Sequence, residues 1–448
     1  MAKTDMESER EFGMASLKLG LRLDQEGENP EKVLSFAERA LRALDKDHGK
    51  PTLPLAVALQ LLGSVSYSLK RFNESLGYLS RANMSLAELE REGSSFEEIG
   101  PVLHAVQFAV ANVKRAMGRR EDAVENLRKC VEIQERIFGE DSAEVGKASL
   151  DLADAFVSVL SFKEALPFCL KALEIHENES GQSSVEVAQD RRLLGVIYTG
   201  LEEHEKALEQ NRLSQKVLKD LELGSDLIGA EIEAANTQIA LERCDEAIDL
   251  LRDVVQRTDK ESEVRALVYV SMGKALCGTD KVADGKRCFE IARGILEKKE
   301  EVSPLEVADA YSEISMQYES MSEFETAILF LKRTLALLEK LPDEQHTEGS
   351  VSAKLGWLLL LTGQVKEAIP YLESAAKMLK ESFGSKHFGI GYVYNNLGAA
   401  YLELEKPQSA VQMFGIAKDI MYSSLGPNHA DSIEACQNVA KAYDGMGR

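Results

Sequence analysis

The sequence lacks the cysteine patterns that mark disulfide-rich or zinc-binding proteins. Its six cysteines are scattered and none forms a C-x-x-C pair, so neither a disulfide framework nor a zinc knuckle is predicted. Proline is scarce, with 10 residues in 448, and 44% of the residues are hydrophobic. This composition favours a folded chain over extended disorder.

Long apolar runs are also missing. No segment reaches the roughly 18 apolar residues that a membrane-spanning helix needs. The charged stretch from Met1 to Arg10 lacks the apolar segment of a secretory signal. We therefore expect a reducing compartment, in which the cysteines stay as packed thiols.

Positive charge is in short supply. The chain has 75 acidic and 53 basic residues, which leaves a formal net charge of -22. A protein surface that binds nucleic acid needs clustered lysine and arginine, so nucleic acid is excluded as a partner. Basic or neutral protein segments are the partners that this charge favours.

Signatures of catalysis and cofactor binding are absent from the residue pattern. None of the seven histidines has a second ligand at metal spacing, and no phosphate-binding glycine loop or EF-hand loop is present. His387 and His429 recur in the same kind of connector, which indicates a structural role. We predict no enzymatic activity, no cofactor and no metal.

What the sequence does contain is an internal repeat. A segment such as Leu397-Gly398-x-x-Tyr401 is followed by a short turn and a second amphipathic segment that opens with a small residue. These small residues recur with an average spacing of about 42 residues. They are Ser75, Ala123, Ala165, Ala207, Ala247, Gly285, Ala327, Ala368 and Ala410.

Each repeat is predicted to be a helical hairpin, in which small residues let the two helices approach closely. The predicted fold is all-α: a right-handed superhelical tetratricopeptide-repeat solenoid of about ten hairpins. Residues 1–12 are expected to form an N-terminal tail and 13–448 a continuous solenoid. We expect an irregular loop near 90–101, where residues 90–98 form either a loop or a helix extension. We also expect an incomplete last repeat, because the chain stops at Arg448, where a second helix would follow.

The connectors between repeats carry a narrower signal than the spacing. They have the form Phe/Leu-Gly-x-x-His or close to it. The three clear examples are Ile137-Phe138-Gly139-Glu140-Asp141-Ser142, Ser382-Phe383-Gly384-Ser385-Lys386-His387 and Ser424-Leu425-Gly426-Pro427-Asn428-His429. With a first helix that reads Tyr394-Asn395-Asn396-Leu397-Gly398, the chain resembles the kinesin light chain-like tetratricopeptide-repeat family.

The likeness is closest to the plant kinesin light chain-related proteins. It is carried by Asp190-Arg191-Arg192-Leu193, Glu313-Ile314-Ser315-x-x-Tyr318-Glu319-Ser320 and Ala442-Tyr443-Asp444-x-Met446-Gly447-Arg448. The resemblance implies a cytoplasmic, microtubule-associated adaptor whose partners include microtubules and calmodulin-binding scaffold proteins of the IQ67-domain type. No heptad segment precedes the first hairpin, so we do not carry over an association with kinesin heavy chain.

The first helices are expected to line a concave groove, rich in amides and with isolated cations. An amide can both donate to and accept from a peptide backbone, so an asparagine row suits an extended partner. Asn396 and Asn438 occupy equivalent places in successive repeats and match the cargo-groove asparagines of the family. The predicted binding residues are Asn396, Asn438, Asn395, Tyr392, Lys441, Trp357, Lys354, Lys274, Asn236 and Arg192.

Three functions remain compatible with these residues. The first is a cytoplasmic scaffold that binds peptide segments of a cytoskeleton-linked partner. The second is a plastid or mitochondrial factor for complex assembly, or a chaperone-like protein, whose transit peptide has been removed. The third is a regulator that inhibits a bound enzyme, and it shares every feature of the other two.

Overall fold

The computed structural model describes residues 2–45, 51–341 and 344–446. Within these ranges it contains twenty-one α-helices and no β-strand. The helices fall into two compact units, Met1–Gln182 (unit 1) and Ser183–Arg448 (unit 2). The all-α class and the tetratricopeptide-repeat solenoid predicted from the sequence are confirmed.

The helix boundaries follow the predicted hairpins. Unit 1 contains α1 (Ala2–Gln25), α2 (Pro30–Leu44), α3 (Leu53–Ser68), α4 (Phe72–Arg91), α5 (Phe96–Ala116), α6 (Arg120–Phe138), α7 (Ala143–Ser158) and α8 (Phe162–Ser180). Unit 2 contains α9 (Val185–Gly200), α10 (His204–Asp220), α11 (Gly224–Ala240), α12 (Cys244–Arg257), α13 (Glu263–Gly278), α14 (Val282–Leu296), α15 (Pro304–Ser320), α16 (Phe324–Leu338), α17 (Gln345–Leu361), α18 (Val365–Phe383), α19 (Phe388–Glu403), α20 (Pro407–Leu425) and α21 (Ala430–Asp444).

Close approach of the two helices in a hairpin depends on the small residues. Every odd-numbered helix from α1 to α19 packs against the even-numbered helix that follows it, and the small residues that open α4 to α20 are all buried. A Cβ atom added to Gly398 would lie only 2.6 Å from the ring of Phe414. The packing role predicted for these positions is therefore confirmed.

The connectors end one helix and begin the next. Gly384 and Gly426 terminate α18 and α20 with positive φ angles of 77° and 87°, which glycine adopts without strain. His387 then caps α19, because its Nδ1 accepts a hydrogen bond from the Gly389 N–H at 3.2 Å. His429 caps α21 in the same way, so both histidines have the structural role that their recurrence indicated.

Two boundaries differ from the predictions. Residues 2–12, expected to be a tail, lie in α1, since the segment is rich in good helix formers such as alanine, glutamate and arginine. The irregular loop expected near 90–101 is only residues 92–95. Ser95 Oγ accepts a hydrogen bond from the Glu97 N–H at 3.2 Å and starts α5 there.

Two further expectations stay predictions. Continuity of the solenoid across the division between unit 1 and unit 2 is one of them. The incomplete last repeat is the other: α21 ends at Asp444, and Gly447 and Arg448 lie outside the described residues.

Candidate functional site

All ten predicted binding residues lie on odd-numbered helices of unit 2. They are Arg192 on α9, Asn236 on α11, Lys274 on α13, Lys354 and Trp357 on α17, Tyr392, Asn395 and Asn396 on α19, and Asn438 and Lys441 on α21. We call the side of the odd-numbered helices α9 to α21 that carries these residues the first-helix face. On α15 it includes Glu313, which contacts Lys274, and the residues one and two turns from it.

Three of the predicted cations are paired with carboxylates of a neighbouring odd-numbered helix. The Arg192 guanidinium donates to both oxygens of Glu233 on α11, at 2.6 and 3.3 Å. This hydrogen bond raises the pKa of Arg192 further above its usual value. The two side chains are each about one-third exposed, so the pair also holds α9 to α11.

The two lysines behave in the same way. Lys274 Nζ lies 3.6 Å from a carboxylate oxygen of Glu313 on α15. Lys354 Nζ donates to Glu319, also on α15, at 2.9 Å. The expectation of isolated cations is therefore wrong for Arg192, Lys274 and Lys354, because each already has a carboxylate partner within the protein.

The only tryptophan of the chain is half-buried beside one of these pairs. Lys354 Nζ lies 5.0 Å from the centre of the Trp357 ring, within the range of a cation–π interaction. The two residues are three positions apart on α17, so they share one side of the helix. Trp357 thus presents part of its ring on the first-helix face next to a neutralised lysine.

The amide row is formed by α19 and α21. Asn438 Nδ2 donates to Asn395 Oδ1 at 3.0 Å, and Lys441 Nζ donates to Asn438 Oδ1 at 3.2 Å. Asn396 lies beside this chain, half-buried, and makes no side-chain hydrogen bond to any residue that the structure describes. Asn438 retains one N–H and Asn396 its whole amide for an added ligand.

An open depression adjoins the amide row. It has a volume of about 400 Å³ and lies between α19, α20 and α21. Its walls combine apolar and polar groups: Ala399, Leu402, Glu403, Phe414, Asn438 and Lys441. The predicted residues Asn438 and Lys441 therefore stand at the rim of a space that an apolar side chain can enter.

Tyr392 is the most exposed aromatic residue among those predicted, with 40% of its surface accessible. Its hydroxyl donates a hydrogen bond to Asp431 at the start of α21. Desolvation, this hydrogen bond and the charges of Asp431 and Glu434 raise the pKa of Tyr392 to about 12. The ring also meets Phe388 edge-on, with 6.2 Å between ring centres.

The residues that the sequence prediction missed are mainly acidic. Glu233 and Glu313 pair with the predicted cations. Both lie two residues before the small residue of their first helix, as Asn396 and Asn438 do. The position within the repeat could therefore have identified Glu233 and Glu313, but the prediction included only amides, cations and aromatic residues. Asn236, in contrast, is half-buried and joins no polar network in the part of unit 2 that the structure describes.

A group of carboxylates is concentrated where α15 and α17 begin. Desolvation, together with the charges of Glu344 and Glu306, raises the pKa of Asp309 to about 6. His346 Nδ1 lies 3.6 Å from a carboxylate oxygen of Glu344. The carboxylates of Glu306 and Glu344 thus act on Asp309 at this end of the two helices and disfavour its ionisation.

Groups suited to metal or thiol chemistry do not converge in the described residues. No cluster of three histidine, cysteine, aspartate or glutamate side chains there could hold a metal ion. Desolvation raises the pKa of the Cys130 and Cys288 thiols to about 12 and about 11, which suppresses the reactive thiolate. His48, one of the seven histidines, lies outside the described residues.

The described helices were compared with the length and hydropathy of a membrane-spanning helix. None of them combines the length and the apolar character needed to cross a bilayer.

Comparison with known proteins agrees with this architecture. Tetratricopeptide-repeat family models match residues 109–144 and 351–421. A solved structure, the apo form of RapI, superposes with a TM-score of 0.50 at 14% identity, covering 64% of this chain and 98% of that chain. At that identity the likeness concerns the fold. The chain thus contains tetratricopeptide repeats in both matched segments.

Two relatives in Arabidopsis thaliana narrow the class. Protein KINESIN LIGHT CHAIN-RELATED 2 is 29% identical over 99% of this chain and 67% of its own length. Protein KINESIN LIGHT CHAIN-RELATED 3 is 29% identical over 94% of this chain and 65% of its own. The chain thus spans about two thirds of the length of these relatives. The resemblance to the kinesin light chain-like family, and to its plant kinesin light chain-related proteins, is confirmed.

Proposed function

We propose that the chain is a non-enzymatic scaffold that binds segments of partner proteins on the first-helix face of unit 2. The amide row of α19 and α21 is the observation that carries this proposal. Asn396 and Asn438 offer hydrogen bonds to a peptide backbone, and the adjoining depression offers a place for one of its side chains. Repeat scaffolds commonly bind extended ligands along such a face.

The partners and location that suit this scaffold come from the family resemblance. They are microtubules and calmodulin-binding scaffold proteins of the IQ67-domain type, and the location is a cytoplasmic, cytoskeleton-associated one. The names of the two plant relatives, kinesin light chain-related 2 and 3, support only the cytoskeletal part of this choice. Imaging of the full-length gene product tests it: a filamentous pattern is expected, whereas a plastid or mitochondrial pattern would favour the organellar assembly factor.

Groove binding is tested by capture of partners on purified protein. We expect Asn396→Ala combined with Asn438→Ala to reduce partner recovery about fivefold or more, since two hydrogen bonds worth about 0.5–1.5 kcal/mol each are removed. Gln412→Ala is a matched control, because Gln412 is an exposed amide on the second helix α20. This control should leave recovery unchanged.

A second control separates binding from structure. Asn395→Ala breaks the internal hydrogen bond to Asn438 but leaves Asn396 and Asn438 in place. We expect it to reduce recovery less than the double variant does, because Asn396 and Asn438 keep their amides. Recovery that is equal for the wild type and for the Asn396 and Asn438 double variant would refute the assignment of the partner site to this face.

A further inference from the structure

We infer that the part of the first-helix face formed by α15, α17 and the start of α19 receives a partner segment that carries lysine or arginine beside apolar side chains. This inference rests on the proposed function and specifies the chemistry of the partner. It is argued from the apolar groups of this region, its excess of carboxylates over cations and the neutralisation of those cations.

Apolar side chains along this region are only partly covered by their neighbours in the described chain. Met316 on α15 is 46% exposed, Tyr392 is 40% exposed and Phe388 is 36% exposed. Trp357 is half-buried and lies on α17, the odd-numbered helix between α15 and α19. Side chains of this kind supply most of the affinity when a partner segment covers them.

Negative charge lies on the same side of α15 as the exposed methionine. Asp309, Glu313 and Met316 are spaced at i, i+4 and i+7, which places them on one side of the helix. Desolvation, and then the like charges of Glu344 and Glu306, raise the pKa of Asp309. A cationic side chain of a partner would relieve this repulsion, whereas an anionic one would increase it.

The basic residues of the region do not favour an acidic partner, because they are already paired with carboxylates. Lys354 is bound to Glu319 and Lys274 to Glu313, so an acidic partner would have to displace an internal carboxylate. The net charge of -22 over the whole chain acts in the same direction at long range. Charge complementarity therefore selects a basic and apolar segment.

The test uses the full chain and three synthetic peptides of equal length. Each peptide carries the same leucine and tryptophan residues, and its remaining positions are lysine, glutamate or serine. Binding is followed by fluorescence anisotropy at low and at physiological salt. We expect the lysine peptide to bind at least about tenfold more tightly than the glutamate peptide, with a preference that shrinks as salt rises.

Two variants locate the binding. Asp309→Asn with Glu344→Gln should weaken the lysine peptide about three- to tenfold, with little effect on the serine peptide. Met316→Ser should weaken all three peptides. The matched control is Glu209→Gln with Glu325→Gln, which removes the same charge from exposed positions on the second helices α10 and α16. Thermal melts confirm that each variant is folded.

The outcomes separate this inference from the function on which it rests. Equal or tighter binding of the glutamate peptide would overturn it, and so would an equal loss in the control variant, which would indicate attraction by overall charge alone. Partner recovery that depends on Asn396 and Asn438 but not on Asp309 and Glu344 would leave the proposed function standing and refute the basic segment. Recovery that is independent of all four residues would refute the proposed function.

Discussion

The α5–α6 hairpin of unit 1 and the α19–α20 hairpin of unit 2 use polar side chains in opposite ways. In the first, a chain of hydrogen bonds lies in the interior. Lys114 Nζ donates to Asn126 Oδ1 at 2.7 Å, Asn126 Nδ2 donates to Gln107 Oε1 at 2.6 Å, and Gln107 Nε2 donates to Asn83 Oδ1 at 2.8 Å. Asn126 and Gln107 are buried.

The α19–α20 hairpin has an apolar interior. The Phe414 ring of α20 packs against Gly398 of α19, and Ala410 is fully buried. Its amides, Asn395 and Asn396, lie instead on the first-helix face, where Asn395 is bonded to α21. A polar group that is enclosed serves to specify the packing, whereas one that is half-exposed stays accessible to a partner. The same repeat can therefore be built for cohesion or for binding.

The largest expected effect comes from breaking the enclosed network. Asn126→Ala removes the donor to Gln107 Oε1 and one of the two acceptors of Lys114. Lys114 keeps its hydrogen bond to the Asp122 carbonyl at 3.1 Å. We expect a loss of about 2–4 kcal/mol in the free energy of unfolding, measured by urea titration with circular dichroism.

Its control is an amide outside the interior. Gln412→Ala on α20 should change the free energy of unfolding by less than about 0.5 kcal/mol. A loss below about 1 kcal/mol for Asn126→Ala would show that the enclosed network contributes no more than a surface contact, and the contrast between the hairpins would disappear.

The second prediction concerns the apolar crossing. Gly398→Ala forces a Cβ to within 2.6 Å of the Phe414 ring, and we expect it to destabilise the protein by about 1–3 kcal/mol. Gly415, on the partner helix α20, has no atom within 4 Å of an added Cβ. Gly415→Ala should therefore stabilise by about 0.5–1 kcal/mol through helix propensity. Equal shifts in melting temperature for the two variants would contradict a tight crossing.

The third prediction uses pH. Desolvation lowers the pKa of His387, which caps α19 through an unprotonated Nδ1. The unfolded chain takes up a proton near pH 6.5 before the folded chain does. The stabilisation by this cap is therefore complete above that pH, and it is lost as the pH falls below it.

Asparagine is the matched replacement, because it caps a helix without titrating near neutral pH. Between pH 7.5 and pH 5 the wild type should lose about 0.5–2 kcal/mol more than His387→Asn. His104 on α5, whose pKa is lowered by desolvation and then by Lys147, contributes equally to both proteins. Parallel pH profiles would show that the histidine cap does not titrate in this range.

The smallest effects are expected in the turns of the two hairpins. Gly118 in the α5–α6 turn and Glu405 in the α19–α20 turn both have positive φ angles, 74° and 56°. Glu405→Gly should stabilise by up to about 1 kcal/mol, and Gly118→Glu should destabilise by about 1–2 kcal/mol. Shifts of the same sign in differential scanning calorimetry would mean that turn strain does not decide these positions.

The local features of the fold were readable in advance. Small residues at about 42-residue spacing marked the helix crossings from Ser75 to Ala410, and the connectors with Gly384 and His387 marked where helices end and begin. Such signals depend on neighbours within one or two turns. The expected tail is wrong for residues 2–12, which form helix because they contain good helix formers. The irregular loop near 90–101 is shorter than expected, because the Ser95 cap starts α5 at Phe96.

The candidate site was only partly predictable. The positions of Asn396 and Asn438 followed from the repeat register, but the bond from Asn438 to Asn395 did not. Likewise, Lys354 was recognised as a residue of the first-helix face, while its partner Glu319 was not. Pairs of this kind join residues 35 to 43 positions apart on different hairpins. Single-helix patterns contain no information about them.

Residue order alone was sufficient for the helical hairpins, their spacing and their family, because helix propensity, caps and small-residue crossings act over short distances along the chain. The state of the cations and amides depended on packing, since it is set by which side chains of adjacent hairpins come within hydrogen-bonding distance. For this protein, the packing of adjacent hairpins changes the chemistry that we expect of a partner. The paired cations and the exposed carboxylates point to a basic segment.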